Sequence, residues 1–128
     1  MDQAKRGKRG EVNAVFAAFG KAFEHWVAME LRAHSHYSGL HYPLAYWRTT
    51  SGYEVDFILG DADVAIEVKS TELANERHWR GLKAFSEEYP VKRRIIISRD
   101  PSPRRVGDVE ILPWKEFMEQ LWSGRIIQ

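Results

Sequence analysis

Two short runs hold the residues best suited to chemistry: Glu54-Val55-Asp56-Phe57 and Ile66-Glu67-Val68-Lys69. Both lie in segments that alternate between polar and apolar residues, Tyr53 to Leu59 and Val64 to Lys69, and Gly60-Asp61-Ala62-Asp63 separates them. Such runs flanking a turn-forming cluster read as a β-hairpin. A two-residue turn at Asp61-Ala62, or a four-residue loop over 60–63, gives one register, with Asp56 opposite Glu67 and Glu54 opposite Lys69. Alternation then puts Glu54, Asp56, Glu67 and Lys69 on one face, with Val55, Phe57, Ile66 and Val68 on the other. Opposed residues have Cβ atoms ~4.5–5.5 Å apart, so Asp56 and Glu67 should repel. A divalent cation would remove the repulsion, since hard cations take carboxylate oxygens. It would also polarise a phosphoryl oxygen and acidify a bound water, while the Lys69 ammonium stabilised developing charge. Those are the parts phosphodiester hydrolysis needs. A three- or five-residue loop would break the register.

Glu24 adds a carboxylate from a helix, at the edge of an apolar stripe and one turn after Gly20. Near a sheet it needs a partner, which a cation would supply; at the margin it reaches water or pairs with a basic side chain. On spacing alone the plainer account of Asp56, Glu67 and Lys69 leads. It is a solvated strand face in which Glu54 and Lys69 form a weak cross-strand ion pair.

The elements that would position these groups follow from periodicity. Val12 to about Tyr37 has a helical stripe of Phe16, Phe19, Phe23, Val27 and Leu31, with Gly39 as the stop. Three strands are expected at Leu44–Thr49, Tyr53–Leu59 and Val64–Lys69, then a helix over Leu73–Tyr89 ended by Pro90. Arg94–Ser98 reads as a strand buried on both faces, residues 100–107 as a loop and Val109–Leu112 as a short strand. Pro113 suits the start of a last helix holding Trp114, Phe117, Leu121 and Trp122. The order is α-β-β-β-α-β-β-α. Short links make the first three strands an antiparallel meander, and the helical crossover makes the next pair parallel. The expectation is an α/β fold with a mixed sheet of about four to five strands flanked by helices. Residues 1–10, with Lys5, Arg6, Lys8 and Arg9 and almost nothing apolar, read as a mobile basic tail, leaving 11–128 as one domain.

Composition narrows the classes. A chain of 128 residues suits one core. With no cysteine there is no disulfide, thiolate zinc site or cysteine nucleophile. No apolar run approaches the ~20 residues of a membrane span. The first ten residues lack the apolar core of a signal peptide, so a cytoplasmic protein is expected. Net charge is +1, so any pull on nucleic acid must be local. Arg48, Lys92, Arg93, Arg104 and Arg105 are candidates for phosphate contact, though each basic cluster alone reads first as a solvated edge. His34, His36 and His41 do not have zinc-site spacing.

An acidic residue in one strand, a hairpin, then Glu-x-Lys and a helix resembles the PD-(D/E)XK nuclease superfamily. Here these are Asp56 and Glu67-Val68-Lys69, with Glu24 matching the acidic residue of the family's first helix. Val55 stands where the superfamily's name has proline. A closer likeness spans residues 20–124. It rests on Gly20-Lys21-Ala22-Phe23-Glu24, Tyr46-Trp47-Arg48-Thr49, Gly52-Tyr53-Glu54-Val55-Asp56-Phe57, Ile66-Glu67-Val68-Lys69 and Leu112-Pro113-Trp114. These resemble the nuclease-like C-terminal domain of a large group of uncharacterised prokaryotic AAA-type ATPases.

The resemblance implies a restriction-endonuclease-like three-layer fold, with Mg²⁺ or Mn²⁺ held by Asp56 and Glu67. It also implies a catalytic Lys69, an assisting Glu24 and DNA as substrate. An ATPase module on a longer chain is the implied partner. Nothing in this chain matches Gly-x4-Gly-Lys-Ser/Thr: Gly20-Lys21 is followed by Ala22, and Val15 stands where the first glycine would be. The rival expectation is a non-catalytic module binding nucleic acid or protein beside such an ATPase. A single compact site would need a second copy to cut both strands together, which makes a homodimer the matching assembly.

Overall fold

The computed structural model describes residues 2–128, with side chains from Ala18 onward. The first helix, α1, spans Asp2–Tyr37. Its buried stripe is Val27 and Leu31, joined by half-buried Phe23 and Trp26. The sequence reading began this helix at Val12. The backbone is helical ten residues earlier, through a polar stretch with Gly7 and Gly10 that the sequence reading took as a basic tail because almost nothing in it is apolar. The side chains of residues 1–17, Phe16 among them, lie outside the described residues. Gly39, at a φ of +76°, follows the helix, and its N–H donates to His36 O at 3.1 Å. Glycine takes this left-handed conformation without a Cβ penalty.

Three strands follow, β1 (Leu44–Arg48), β2 (Glu54–Leu59) and β3 (Val64–Val68), each antiparallel to the one before. After a 3-10 turn at Glu76–Trp79 comes α2 (Arg80–Glu88), carrying Leu82 and Phe85 into the core beside Trp79. Strand β4 (Arg93–Ser98) lies parallel to β3, and Ile95, Ile96 and Ile97 are fully buried. Strands β5 (Arg104–Val106) and β6 (Val109–Pro113) form a hairpin, and α3 (Trp114–Trp122) closes the fold. The six-stranded sheet runs β1-β2-β3-β4-β6-β5. The extra strand is β5, which the sequence reading placed in a loop. It is only three residues long, and its pairing with β6 makes it an edge strand.

The sheet separates two cores. Val27, Leu31, Phe117 and Leu121 pack from α1 and α3 against Leu59, Ile66, Val68, Ile95 and Ile97. Trp79, Leu82 and Phe85 pack on the opposite side against Val55, Ile58, Ala65, Ile96 and Ile111. The arrangement is a three-layer, mixed α/β fold with helices on both faces of the sheet.

One irregularity changes which residues share a face. Strand β2 pairs Leu59 with Leu44 and Ile58 with Ala45, then Val55 with Trp47 and Glu54 with Arg48. Two steps along β1 therefore match three along β2, so β2 holds an extra residue between Val55 and Ile58, a β-bulge. Val55 consequently joins Ile58 in the α2-side core, while Phe57 packs with the α1-side core. This corrects the expected sharing of a face by Val55 and Phe57. Strict alternation holds only while every residue is paired.

Candidate metal centre

The hairpin carries the register expected from its turn. Phe57 pairs with Ile66, Ile58 with Ala65 and Leu59 with Val64. Continued one step, this register sets Asp56 opposite Glu67, but the backbone ladder stops at Phe57–Ile66. There Asp56 substitutes its side chain for a strand carbonyl: Oδ2 accepts the Val68 N–H at 2.8 Å. The strands part beyond this point and leave room for carboxylates between them. On its other edge β3 stays held, since the Lys69 N–H donates to Ile97 O at 2.9 Å.

Glu67 is 2% exposed, and its Oε1 has no hydrogen-bond partner. A buried oxygen left without a partner costs roughly 1–3 kcal/mol, and more when it is charged. Burial, followed by the Asp56 carboxyl beside it, pushes the Glu67 carboxyl up to about 10, and Lys69 pulls the other way. Glu24, reaching in from α1, is raised in the same sense, first by burial and then by Asp56 and Glu54. Both shifts favour the protonated forms of Glu67 and Glu24.

The third carboxylate of the cluster is one that sequence reasoning left in the plainer role. Glu54, Asp56 and Glu67 each offer an oxygen, and these atoms all lie within 4.8 Å of one another. The expected Glu54–Lys69 ion pair does not form; Glu54 Oε2 lies 3.8 Å from Arg48 Nε instead. Among the described residues no ion pair holds Lys69. Glu54 was detectable: it sits two residues before Asp56 in an alternating strand. Its placement depends on Gly81 in the first turn of α2, where an added Cβ would stand 2.0 Å from Glu54 O. Only glycine lets the helix come this close.

Glu67 and Lys69 open onto a cleft of about 380 Å³, whose other wall includes Arg77, His78 and Arg80. His78 is fixed by a reciprocal cap: its Nδ1 accepts the Asn75 N–H at 3.0 Å, and Asn75 Oδ1 accepts the Arg77 N–H at 3.1 Å. An Nδ1 acceptor leaves the neutral ring's proton on Nε2. The sequence reading named none of these three residues. They lie on the 3-10 turn and at the start of α2, which only the tertiary fold brings opposite β3.

Of the basic residues expected to meet phosphates, only Arg48 adjoins the carboxylates, with its guanidinium 5.3 Å from the Tyr46 ring centroid. Lys92 pairs with Asp63 at 3.2 Å, at the hairpin-turn end of the sheet. Arg93 lies at that same end, level with Val64, and donates to Glu110 through Nε (2.9 Å) and Nη2 (2.7 Å). Arg104 donates to Asp100 and to Ala74 O, and Arg105 lies 3.7 Å from Glu110. Arg93 and Arg104 thus engage the protein's own acceptors, a use of arginine that a run of basic letters does not reveal.

The chemistry of the donors fits a hard divalent cation: three carboxylates in reach of one another, one of them buried with an idle oxygen. The fold and this centre define a mixed α/β domain with an acidic cluster where two strands diverge. Residues 19–117 match the family described as "Domain of unknown function (DUF4143)", and the chain belongs to it. No curated protein and no solved structure matches it.

Proposed function

We propose that this domain hydrolyses phosphodiester bonds of DNA, using Mg²⁺ or Mn²⁺, in the manner of a PD-(D/E)XK nuclease. The observation that carries the reading is Glu67: buried, with one oxygen idle, beside Asp56 and Glu54 and two residues before Lys69. A structural carboxylate would have been given hydrogen-bond donors; this one faces other acids.

Asp56, Glu67 and Glu54 would hold the cation, with Glu24, whose carboxyl feels Asp56 and Glu54, assisting from α1. When bound, the cation polarises the phosphoryl oxygen and lowers the pKa of an attacking water. Lys69, which lines the same cleft as Glu54 and Glu67, would stabilise charge developing on the phosphate. The capped His78 and Arg77 offer donors to the phosphate strand from the facing wall. The likeness to ATPase-associated domains supports an AAA-type module as partner on a longer chain, acting in the cytoplasm. A homodimer would supply the second centre for double-strand cutting.

Cleavage of labelled single-stranded, duplex and branched DNA with Mg²⁺ or Mn²⁺ tests this. The expected result is metal-dependent cleavage that falls ~10²–10³-fold in Lys69→Ala. Binding without cleavage by folded protein would replace this reading with a non-catalytic nucleic-acid module.

A further inference from the structure

On the α1 face of the sheet, at the same end as Lys69, the surface is aromatic. Phe19, Phe23, Trp26 and Trp114 line a groove of about 400 Å³, and Phe19 is 43% exposed. The rings form a connected series: Phe19 stacks on Phe23 with centroids 6.3 Å apart, Phe23 is 6.4 Å from Trp26, and Trp26 meets Trp114 edge-on at 5.5 Å. Aromatic rings gathered in one partly exposed groove are a feature that contact sites use.

The charges around it indicate the occupant. Among the described residues Arg99 is the one charged residue lining the groove, and its guanidinium lies 5.1 Å from the Phe19 ring centroid. Lys115 caps Trp114 with its Nζ 5.2 Å from the ring. Arg99 also lines the adjoining cleft of about 550 Å³, which contains Lys69, Ser70, Thr71 and His78. Its backbone N–H donates to Thr71 O at 2.8 Å, and Gly20 of α1 approaches Ser70, where an added Cβ would lie 3.7 Å from Oγ. The groove and the Lys69 cleft are therefore neighbours joined at Arg99, whose exposed side chain also pairs with Glu72 at 3.5 Å.

We infer that this groove is a stacking platform for unpaired nucleotides, so that the strand entering the Lys69 cleft is single-stranded. The inference rests on the proposed nuclease reading and names its substrate class. Unpaired bases have free faces for aromatic rings and an arginine plane, and cationic side chains track the phosphates between them. Paired bases keep those faces inside the duplex. A cationic, aromatic groove continuous with a phosphate-handling cleft matches this ligand better than an acid-lined or wholly apolar one would.

The test is binding of labelled oligothymidylate, and of a duplex of equal length, to the full chain in Ca²⁺, read by anisotropy and tryptophan quenching. The single strand should bind more tightly than the duplex. Phe19→Ala should weaken it about tenfold, within the range for loss of one stacked base. Phe19→Trp should retain it, and Tyr37→Ala, an exposed aromatic elsewhere on α1, should leave it unchanged. Equal binding of both DNA forms, no binding, or indifference to Phe19→Ala overturns the platform. Self-association lost in Phe19→Ala without DNA binding would assign the groove to a second copy and overturn it as well. The two readings separate cleanly. Single-strand binding sensitive to Phe19 but without cleavage keeps the platform and removes the nuclease. Cleavage insensitive to Phe19 does the reverse.

Discussion

Two carboxylates are buried almost equally in this protein and are treated in opposite ways. Asp100 is 4% exposed and Glu67 is 2% exposed. Asp100 accepts from Ser98 Oγ at 2.5 Å, from the Ala74 N–H at 3.0 Å and from Arg104. Burial alone would raise its pKa, but those hydrogen bonds outweigh burial and hold it below the usual range. Glu67 is as little exposed but lies deeper, with an idle oxygen and acidic neighbours, and burial drives it up to about 10. The first is a fastener between the loop after β4 and the loop before α2. The second is left without a donor at a cost to stability, which fits the cation site proposed for it.

The largest expected effect breaks the fastener. Asp100→Ala strips the partner from Arg104, the Ala74 N–H and Ser98 together. Unfolding free energy should fall by about 3 kcal/mol, toward the lower end for buried pairs because Arg104 is partly exposed. A urea midpoint measures it. An unchanged midpoint would erase the contrast with Glu67.

Gly81→Ala should come next, at roughly 1–3 kcal/mol, the range for overpacking. The added methyl must push α2 away from Glu54 O. The same variant should weaken Mn²⁺ binding by calorimetry, since Glu54 moves with its strand.

Glu67→Gln sharpens the contrast in the other direction. In EDTA the thermal midpoint should rise, by about 1 kcal/mol of stability, because an amide donor meets Asp56 where two acids competed. Mn²⁺ should then stabilise the wild type and leave the variant unmoved. Destabilisation of the metal-free variant, matching that of Asp100→Asn, would class Glu67 as structural.

The smallest effect is in the pH dependence. Asp100, with its pKa lowered, contributes stability that is present above its unfolded value of 3.8 and lost as pH falls through its lower folded value. His34 is buried, and burial lowers its pKa from 6.5. Tyr42 Oη donates to Leu31 O at 3.0 Å, so the His34 Nδ1–H donates to Tyr42 Oη at 2.9 Å. Protonation then favours the unfolded chain, so the His34 contribution declines as pH drops below 6.5, against the opposite slope of Glu67, whose raised pKa makes stability grow as pH falls from about 10 toward 4.5. Chemical denaturation at pH values from below 3.8 up to about 8 reads Asp100 and His34 together, and the difference between wild type and His34→Gln isolates the histidine part.

Much of this was legible in local sequence. The Gly60–Asp63 turn fixed the hairpin register, and with it the juxtaposition of Asp56 and Glu67. Turn length and side-chain alternation are local properties. The Ile run announced a strand buried on both faces, and Pro113 announced the start of α3. The tertiary structure decided the rest. The bulge that turns Val55 toward α2 exists because β2 must pair with β1 while Asp56 takes the Val68 N–H. Glu54 joins the cluster because Gly81 lets a helix approach its backbone, and Arg93 and Arg104 become internal fasteners because Glu110 and Asp100 come to lie beside them. Periodicity records which way a side chain points along one strand. What it meets there depends on neighbours brought close by folding, and those partners set the burial, charge and chemistry of each residue.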